Sequence, residues 1–407
     1  MRNQALEWCT AVAFVIGSTN PGRAEAQAAH ESPLPAPSGP YSVGRTQFDW
    51  TDTTRVDAEN PSGHREIVVW AWYPATPQPG VDRAEWMPGK WGELFSSDFV
   101  SGHPNVADAA RAHSINGISS HAYADAPAMS SPQRFPVVLF APGLGTTPLE
   151  YAGIIEDVAS HGYIVAGIVP TYFARVSVFS DGRTIAGREI LAATGYRGSA
   201  RPTTREALRA FEQAASILSH DMIFTLNQLR DVDADPRSPL RGRFDFGRVG
   251  ALGHSLGGAA TLQLAHDEPR VRAVFNIDGS PIWSAANGAL AKPLLVLSAA
   301  STNVSYDAVL SGASPGMHLR VAGTAHTFCS DLRLMPFASP GAPSSVRPRP
   351  GPAGAIDPVR ALTVTSTYVE AFFDQYLNGK TTALLSGPSV AFPEVTFEHV
   401  SERDGKT

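Results

Sequence analysis

The block Gly253-His254-Ser255-Leu256-Gly257-Gly258 lies between an extended run, Arg248 to Leu252, and an Ala/Leu-rich stretch from Gly257 to His266. It constrains the fold more than any other feature of the chain. A serine with glycines two places before and two places after it reads as a strained turn, in which a strand gives way to a helix almost at once. Side chains at 253 and 257 would collide with neighbouring backbone there, so glycine is needed at both. The serine hydroxyl is then thrust out at the start of the helix, beside the Leu256 amide.

The rest of the chain repeats the alternation of strand and helix. Val137-Val138-Leu139-Phe140 is a short apolar strand that ends at Ala141-Pro142-Gly143-Leu144-Gly145. A helix follows from about Leu149 to Ser160, with Gly162 suited to its C-terminal cap, and Tyr163 to Val169 is the next strand. Apolar strands joined through a helix mark a buried parallel sheet. Leu208, Phe211, Ala215, Leu218, Met222, Leu226 and Leu229 recur at three- and four-residue steps, which predicts a long helix from Thr204 to Leu229. Further strands are expected at Glu66 to Pro74, Val271 to Ile277, Pro293 to Ser298 and Leu319 to Gly323. Asp357-Pro358 opens a last helix, with Asp as the cap and Pro at the first helical position. The expected class is α/β, a mostly parallel central sheet flanked by helices on both faces.

Composition bounds the function. The chain has 407 residues, 43% hydrophobic and 17% charged, enough apolar material for a large core and too little charge for a disordered chain. Net charge is −6 and no Lys/Arg cluster stands out, so nucleic-acid binding has no electrostatic support. No apolar run reaches the roughly 20 residues of a membrane-spanning helix. Arg2, the apolar run Cys9 to Ser18 and the small-x-small site Ala24-Glu25-Ala26 read as a signal peptide over 1–26, hence a secreted or periplasmic protein. Residues 27–45 read as a flexible Pro/Ala-rich leader and 46–400 as one domain, with a lid or insert at 170–203 and a Pro-rich surface loop at 335–356. Two cysteines, Cys9 and Cys329, exclude a disulfide scaffold and a cysteine-based zinc site.

A lone serine hydroxyl is a poor nucleophile and needs a base that is itself oriented by an acid. His326 is the candidate base, on a small-residue loop after the last expected strand, where sites in such sheets are built. His254 is adjacent to Ser255 and should point elsewhere. Two carboxylates compete for the acid: Asp278, directly at the end of the strand reaching Ile277, and Asp307, several residues beyond the strand that ends at Ser298. The Leu256 amide and the Leu144 amide, the latter between Gly143 and Gly145, are the candidate oxyanion donors. Leu144, Leu256, Ile282, Trp283 and Phe328 are candidates to line an acyl pocket. The chemistry calls for no metal and no organic cofactor.

With these residues in place, the chain resembles the plasma-type platelet-activating-factor acetylhydrolase family, serine esterases of the α/β-hydrolase fold. The resemblance spans roughly 60–380. It rests on Phe140 to Gly145, on Asp157-Val158-Ala159-Ser160-His161-Gly162-Tyr163-Ile164-Val165-Ala166, on Gly253 to Gly258, on Asn276-Ile277-Asp278-Gly279, on Gly323 to Phe328 and on Phe372 to Leu377. It implies Asp278 as the acid, calcium-independent ester hydrolysis, a small-molecule ester or lipid substrate with a short or oxidised acyl chain, and transient contact with a lipid surface. The chain departs from the family at Pro142, where the family's loop commonly has a histidine, and in the Gly-Ser-Pro that follows Asp278. Polyester, lactone and triglyceride substrates stay open on the same fold, as does a non-catalytic extracellular binding protein.

Overall fold

The computed structural model describes residues 32–95, 115–187, 204–281, 290–335 and 356–400. The expected signal peptide, Ile282, Trp283, residues 188–203 of the expected insert and nearly all of the Pro-rich loop lie outside them.

Among the described residues, ten strands form one sheet. In chain order they are β1 (Ser42–Val56), β2 (His64–Ala75), β3 (Tyr123–Ala124), β4 (Phe135–Ala141), β5 (Ile164–Val169), β8 (Phe244–His254), β9 (Val271–Ile277), β10 (Leu294–Ala299), β11 (Gly316–Val321) and β12 (Val395–Val400); β6 (Val176–Val178) and β7 (Thr184–Ala186) make a separate hairpin. The order across the sheet is β12-β11-β10-β9-β8-β4-β5-β2-β1-β3. The run from β11 to β5 is parallel, while β12, at one end, and β2 with β1, at the other, join antiparallel. This is the expected α/β-hydrolase architecture.

Helices α1 (Ala152–Ser160), α2 (Arg205–Ala234), α3 (Leu256–Asp267), α4 (Asp307–Ser311) and α5 (Pro358–Leu377) cover the sheet. Alternate residues of each inner strand face opposite cores, as the two-residue period of a strand requires. On β4, Val138 and Phe140 join α1 and α5 in one core, and Val137, Leu139 and Ala141 join α2 and α3 in the other. Burial on both faces is why these strands read as continuous apolar runs.

The topology places the site. From β4 the chain crosses through α1 to β5 on one side; it then returns through α2 to β8 on the other side of β4. Strand order reverses between β4 and β8, and a crevice opens at the carboxyl ends of the strands at such a point.

The first strand, β1, begins at Ser42. Before it, Leu34 is buried, and Ser38 and Gly39 donate to Asp157 and Ser160 at the end of α1. The described part of the insert, 170–187, forms the β6–β7 hairpin. It is fastened to β1 by Gln47 to the Val178 carbonyl (3.0 Å) and by the Ser180 amide to Asp49 (2.6 Å), and to β2 by Arg183 on Glu66.

A buried ionic cluster pins the β1–β2 pair to α2. Asp221 of α2, with no exposed side-chain surface, meets Arg65 at 2.6 Å and Arg55 at 2.9 Å, and Arg65 also meets Asp57 at 3.0 Å. Asp221→Ala leaves a buried guanidinium without its main partner, which costs about 3–5 kcal/mol. The denaturant midpoint should fall accordingly with its slope unchanged; a loss below about 1 kcal/mol, the range of exposed pairs, would contradict the desolvated cluster.

Candidate active site

The Ser255 turn has the strained geometry its glycines imply. Ser255 sits at φ 55°, ψ −116° between β8 and α3. A β-carbon on Gly257 would lie 2.0 Å from the Ala141 carbonyl oxygen, and one on Gly253 would lie 2.3 Å from the Gly257 carbonyl oxygen. No real side chain fits at either place. The Ser255 hydroxyl does not cap its own helix; it lies 2.8 Å from Nε2 of His326.

His326 comes from the loop after β11, and its Nδ1 lies 2.6 Å from Oδ2 of Asp278. Asp278 follows β9 directly, at φ 52°. Its second oxygen accepts from the Ala299 amide at 3.0 Å, and the residue is 3% exposed. Burial works against this carboxylate, but hydrogen bonds from His326, Thr302 and Ala299 outweigh it and hold its pKa below the usual carboxylate range. Ser255, His326 and Asp278 are therefore brought together. Asp307 is not among them: it starts α4, exposed, and bonds to Ser305 at 3.0 Å.

The two candidate oxyanion amides are both without a backbone partner among the described residues. Leu256 is the first residue of α3, where an N–H has no carbonyl one turn back. Around Leu144, the amides of Gly143, Gly145 and Thr146 are committed to the Tyr151 hydroxyl, the Phe173 carbonyl and the Gly143 carbonyl, at 3.2, 2.8 and 3.1 Å. The Leu144 amide has no such partner among the described residues. Leu256 and Phe328 are buried in the cores, at 0% and 1% exposure, and Leu144 is half-buried.

Three neighbours were given no role by the sequence. Asn276, fully buried in β9, donates to the Gly258 and Gly279 carbonyls and accepts from the Gly279 amide at 2.7 Å, clamping the start of α3 to the Asp278 turn. A polar amide inside an apolar strand was the available signal. Tyr151 and Thr146 bond to each other and to the Gly143 loop. His254 does point away from the serine; burial and then the adjoining His326 lower its pKa to about 3. His318 on β11 bonds to Ser298 at 2.8 Å, and burial with Arg320 lowers its pKa to about 4. Among the described residues no group of three or more His, Cys, Asp or Glu is arranged to hold a metal ion, and no helix is long and apolar enough to cross a membrane.

Comparison with known proteins finds esterases and related hydrolases. A family model described as platelet-activating factor acetylhydrolase, isoform II, matches residues 26–169, and one described as PET hydrolase-like matches 168–316. The chain is 28% identical, over 89% of its length and 93% of the relative's, to a probable 1-alkyl-2-acetylglycerophosphocholine esterase of Arthroderma benhamiae. It is 24% identical to the platelet-activating factor acetylhydrolase of Bos taurus over 71% of its length, and spans 63% of that protein. A stretch of 49 residues, 11% of the chain and 16% of the relative, is 45% identical to the bis(hydroxyethyl) terephthalate hydrolase of Streptomyces coelicolor. Among solved structures, a ferulic acid esterase from Streptomyces cinnamoneus superposes with a TM-score of 0.70 at 29% identity, covering 91% of this chain and all of that one. The chain is a carboxylic-ester hydrolase of the α/β-hydrolase serine-esterase superfamily, related to acetylhydrolase-like and ferulic-acid-esterase-like proteins.

The two buried imidazoles set a pH dependence. Unfolded, each takes up a proton near pH ~6.5; folded, His318 does so only near about 4 and His254 near about 3. Between those values the unfolded state binds more protons, so stability falls as pH drops from about 6.5 towards 3. Urea midpoints should decline over that range, and His318→Gln, which removes one of the two groups, should make the decline shallower. Equal slopes in the two proteins would mean that His318 is not held neutral.

Proposed function

We propose that Ser255 is the nucleophile of a two-step acyl transfer, with His326 as base, Asp278 as its orienting acid, and the amides of Leu256 and Leu144 as oxyanion donors. One observation carries the reading: the unbroken contact from the Ser255 hydroxyl through His326 to Asp278, at 2.8 and 2.6 Å. As the hydroxyl attacks an ester carbonyl, its proton passes to Nε2 of His326. The Nδ1–H of His326 stays on its nitrogen and donates to Asp278, whose depressed pKa keeps it a carboxylate able to stabilise the imidazolium. The carbonyl oxygen becomes an oxyanion between the two backbone amides. His326 then protonates the leaving alcohol, and water activated by the same imidazole releases the acid and restores Ser255. The protein's own groups supply every proton movement, so no cofactor enters.

The substrate class we favour is the ester of an aromatic acid, such as a soluble polyester fragment. Three findings support it: the PET hydrolase-like match, which spans Ser255 and Asp278, the terephthalate-ester hydrolase stretch, and the end-to-end likeness to a ferulic acid esterase. A second reading, a phospholipid with a short acyl chain, draws on the Arthroderma benhamiae esterase, which aligns with 89% of the chain. The hairpin fastened to β1 and β2 gives no support to a lid of the kind a triglyceride lipase uses. The signal-like segment 1–26 supports action outside the cytoplasm.

The test is turnover of bis(hydroxyethyl) terephthalate, methyl ferulate, p-nitrophenyl esters of two to sixteen carbons and a 2-acetyl phosphatidylcholine. Ser255→Ala should lose at least about 10⁴-fold in kcat on every ester cleaved, and Asp307→Ala should stay within about twofold of the native enzyme. Hydrolysis surviving in Ser255→Ala would overturn the mechanism. Preference for the phospholipid would select the second reading, and a peak at long chains would replace both with a lipase.

A further inference from the structure

A buried chain of hydrogen bonds runs beside Ser255 and takes no part in the steps above. The Gly143 amide donates to the Tyr151 hydroxyl at 3.2 Å. That hydroxyl lies 2.8 Å from Nδ1 of His254, and Nε2 of His254 lies 2.8 Å from the carbonyl oxygen of His326. Tyr151 and His254 are 1% and 3% exposed, so water does not compete for these bonds.

The proton order is forced from one end. A carbonyl oxygen only accepts, so Nε2 of His254 carries its proton and Nδ1 of the neutral ring is bare. The Tyr151 hydroxyl must then donate to Nδ1, which leaves its oxygen to accept from Gly143. One neutral tautomer satisfies the whole chain. The low pKa of His254, about 3, fits this order.

The two ends of the chain are parts whose separation matters to acyl transfer. Gly143 opens the loop that presents the Leu144 amide, and the far carbonyl belongs to His326 itself. Packing is as close as the bonding. The His254 and His326 rings lie 4.8 Å apart between centroids, and a β-carbon on Gly143 would fall 2.9 Å from Nδ1 of His254.

We infer that His254 and Tyr151 are positioning residues, a strut of fixed proton order that sets the oxyanion loop against the base. The inference rests on the roles proposed above for Ser255, His326 and Leu144. It makes position 254, inside the serine turn, part of the machinery for holding the transition state.

The experiment compares Tyr151→Phe, His254→Phe and His254→Gln with the native enzyme. It uses p-nitrophenyl acetate as substrate and phenylboronic acid as inhibitor, whose tetrahedral serine adduct places an oxygen at the oxyanion position. Misplacement of the loop should lower kcat about ten- to a hundredfold in the two Phe variants, with KM within threefold. The boronate Ki should rise by the same factor as kcat/KM falls. His254→Gln offers one acceptor and one donor, like the neutral ring, and should recover at least half of the loss on a logarithmic scale. Thermal melts identify any variant that does not fold; should His254→Phe fail, His254→Gln against Tyr151→Phe carries the comparison. Folded variants with native kcat and Ki overturn the inference. So does a change in KM without a matching change in Ki, or a Gln variant no better than Phe. Ser255→Ala, run alongside, separates the two failures: turnover persisting there removes the reading beneath the strut, and the strut with it.

Discussion

Where β8 ends and α3 begins, the chain passes the end of β4 with only a glycine hydrogen between them. That contact at Gly257, where a β-carbon would lie 2.0 Å from the Ala141 oxygen, is the constraint on which the rest of the site depends. It forces the turn to be tight, and the tight turn forces Ser255 to a positive φ that costs on the order of 1–3 kcal/mol. The surrounding backbone holds the residue there. Its amide donates to the Ile277 carbonyl of β9, and its carbonyl accepts from Ala259, both at 3.0 Å.

The same device recurs one strand further along. Asp278 also leaves its strand at a positive φ, and its amide donates to the Leu297 carbonyl of β10 at 3.0 Å. Each strained turn at the carboxyl edge thus borrows a carbonyl from the neighbouring strand. Asn276 ties the two turns together by bonding to both Gly258 and Gly279. Ser255 and Asp278 are fixed relative to each other by the sheet edge, and His326, from the loop after β11, closes the set against them. A buried carboxylate with three hydrogen-bonding neighbours is costly to assemble and rigid once assembled, which suits the orienting role proposed for Asp278.

Elements whose pattern is purely apolar, or whose ends carry capping chemistry, were legible in the sequence. The last helix begins at Pro358 with Asp357 capping it, the long helix begins after Thr204, and β9 spans Val271–Ile277, all as the residues indicated. The strand β1 was not legible, because its alternation is hidden by charge. Arg45 is buried beneath Trp70 and bonded to the Glu85 carbonyl, and Asp52 is buried with Arg55. β12 is an edge strand with only Val395 buried, so it leaves almost no period to read. Of the site, the serine turn was written locally, whereas the choice between Asp278 and Asp307 depended on which strand end lies under the base. That is a matter of sheet order, and the resemblance, rather than the local residues, pointed to Asp278. Tyr151 is invisible for the same reason: 103 residues separate it from His254.

The two family likenesses meet at residues 168 and 169, the last two residues of β5, and His326 lies beyond both. The loop from Gly143 to Gly145 stands on the first stretch, Ser255 and Asp278 on the second, and the backbone seam between them is the pairing of β4 with β8. In that seam Ala141 is opposite Gly253, after a shift in register between Pro136 and Val137. A slip of one residue would turn every side chain of β8 to the opposite core and carry the serine out of reach of the loop. Changes confined to the loops of either stretch leave that single alignment intact, whereas any change along the seam has to keep it for the serine to stay opposite the loop.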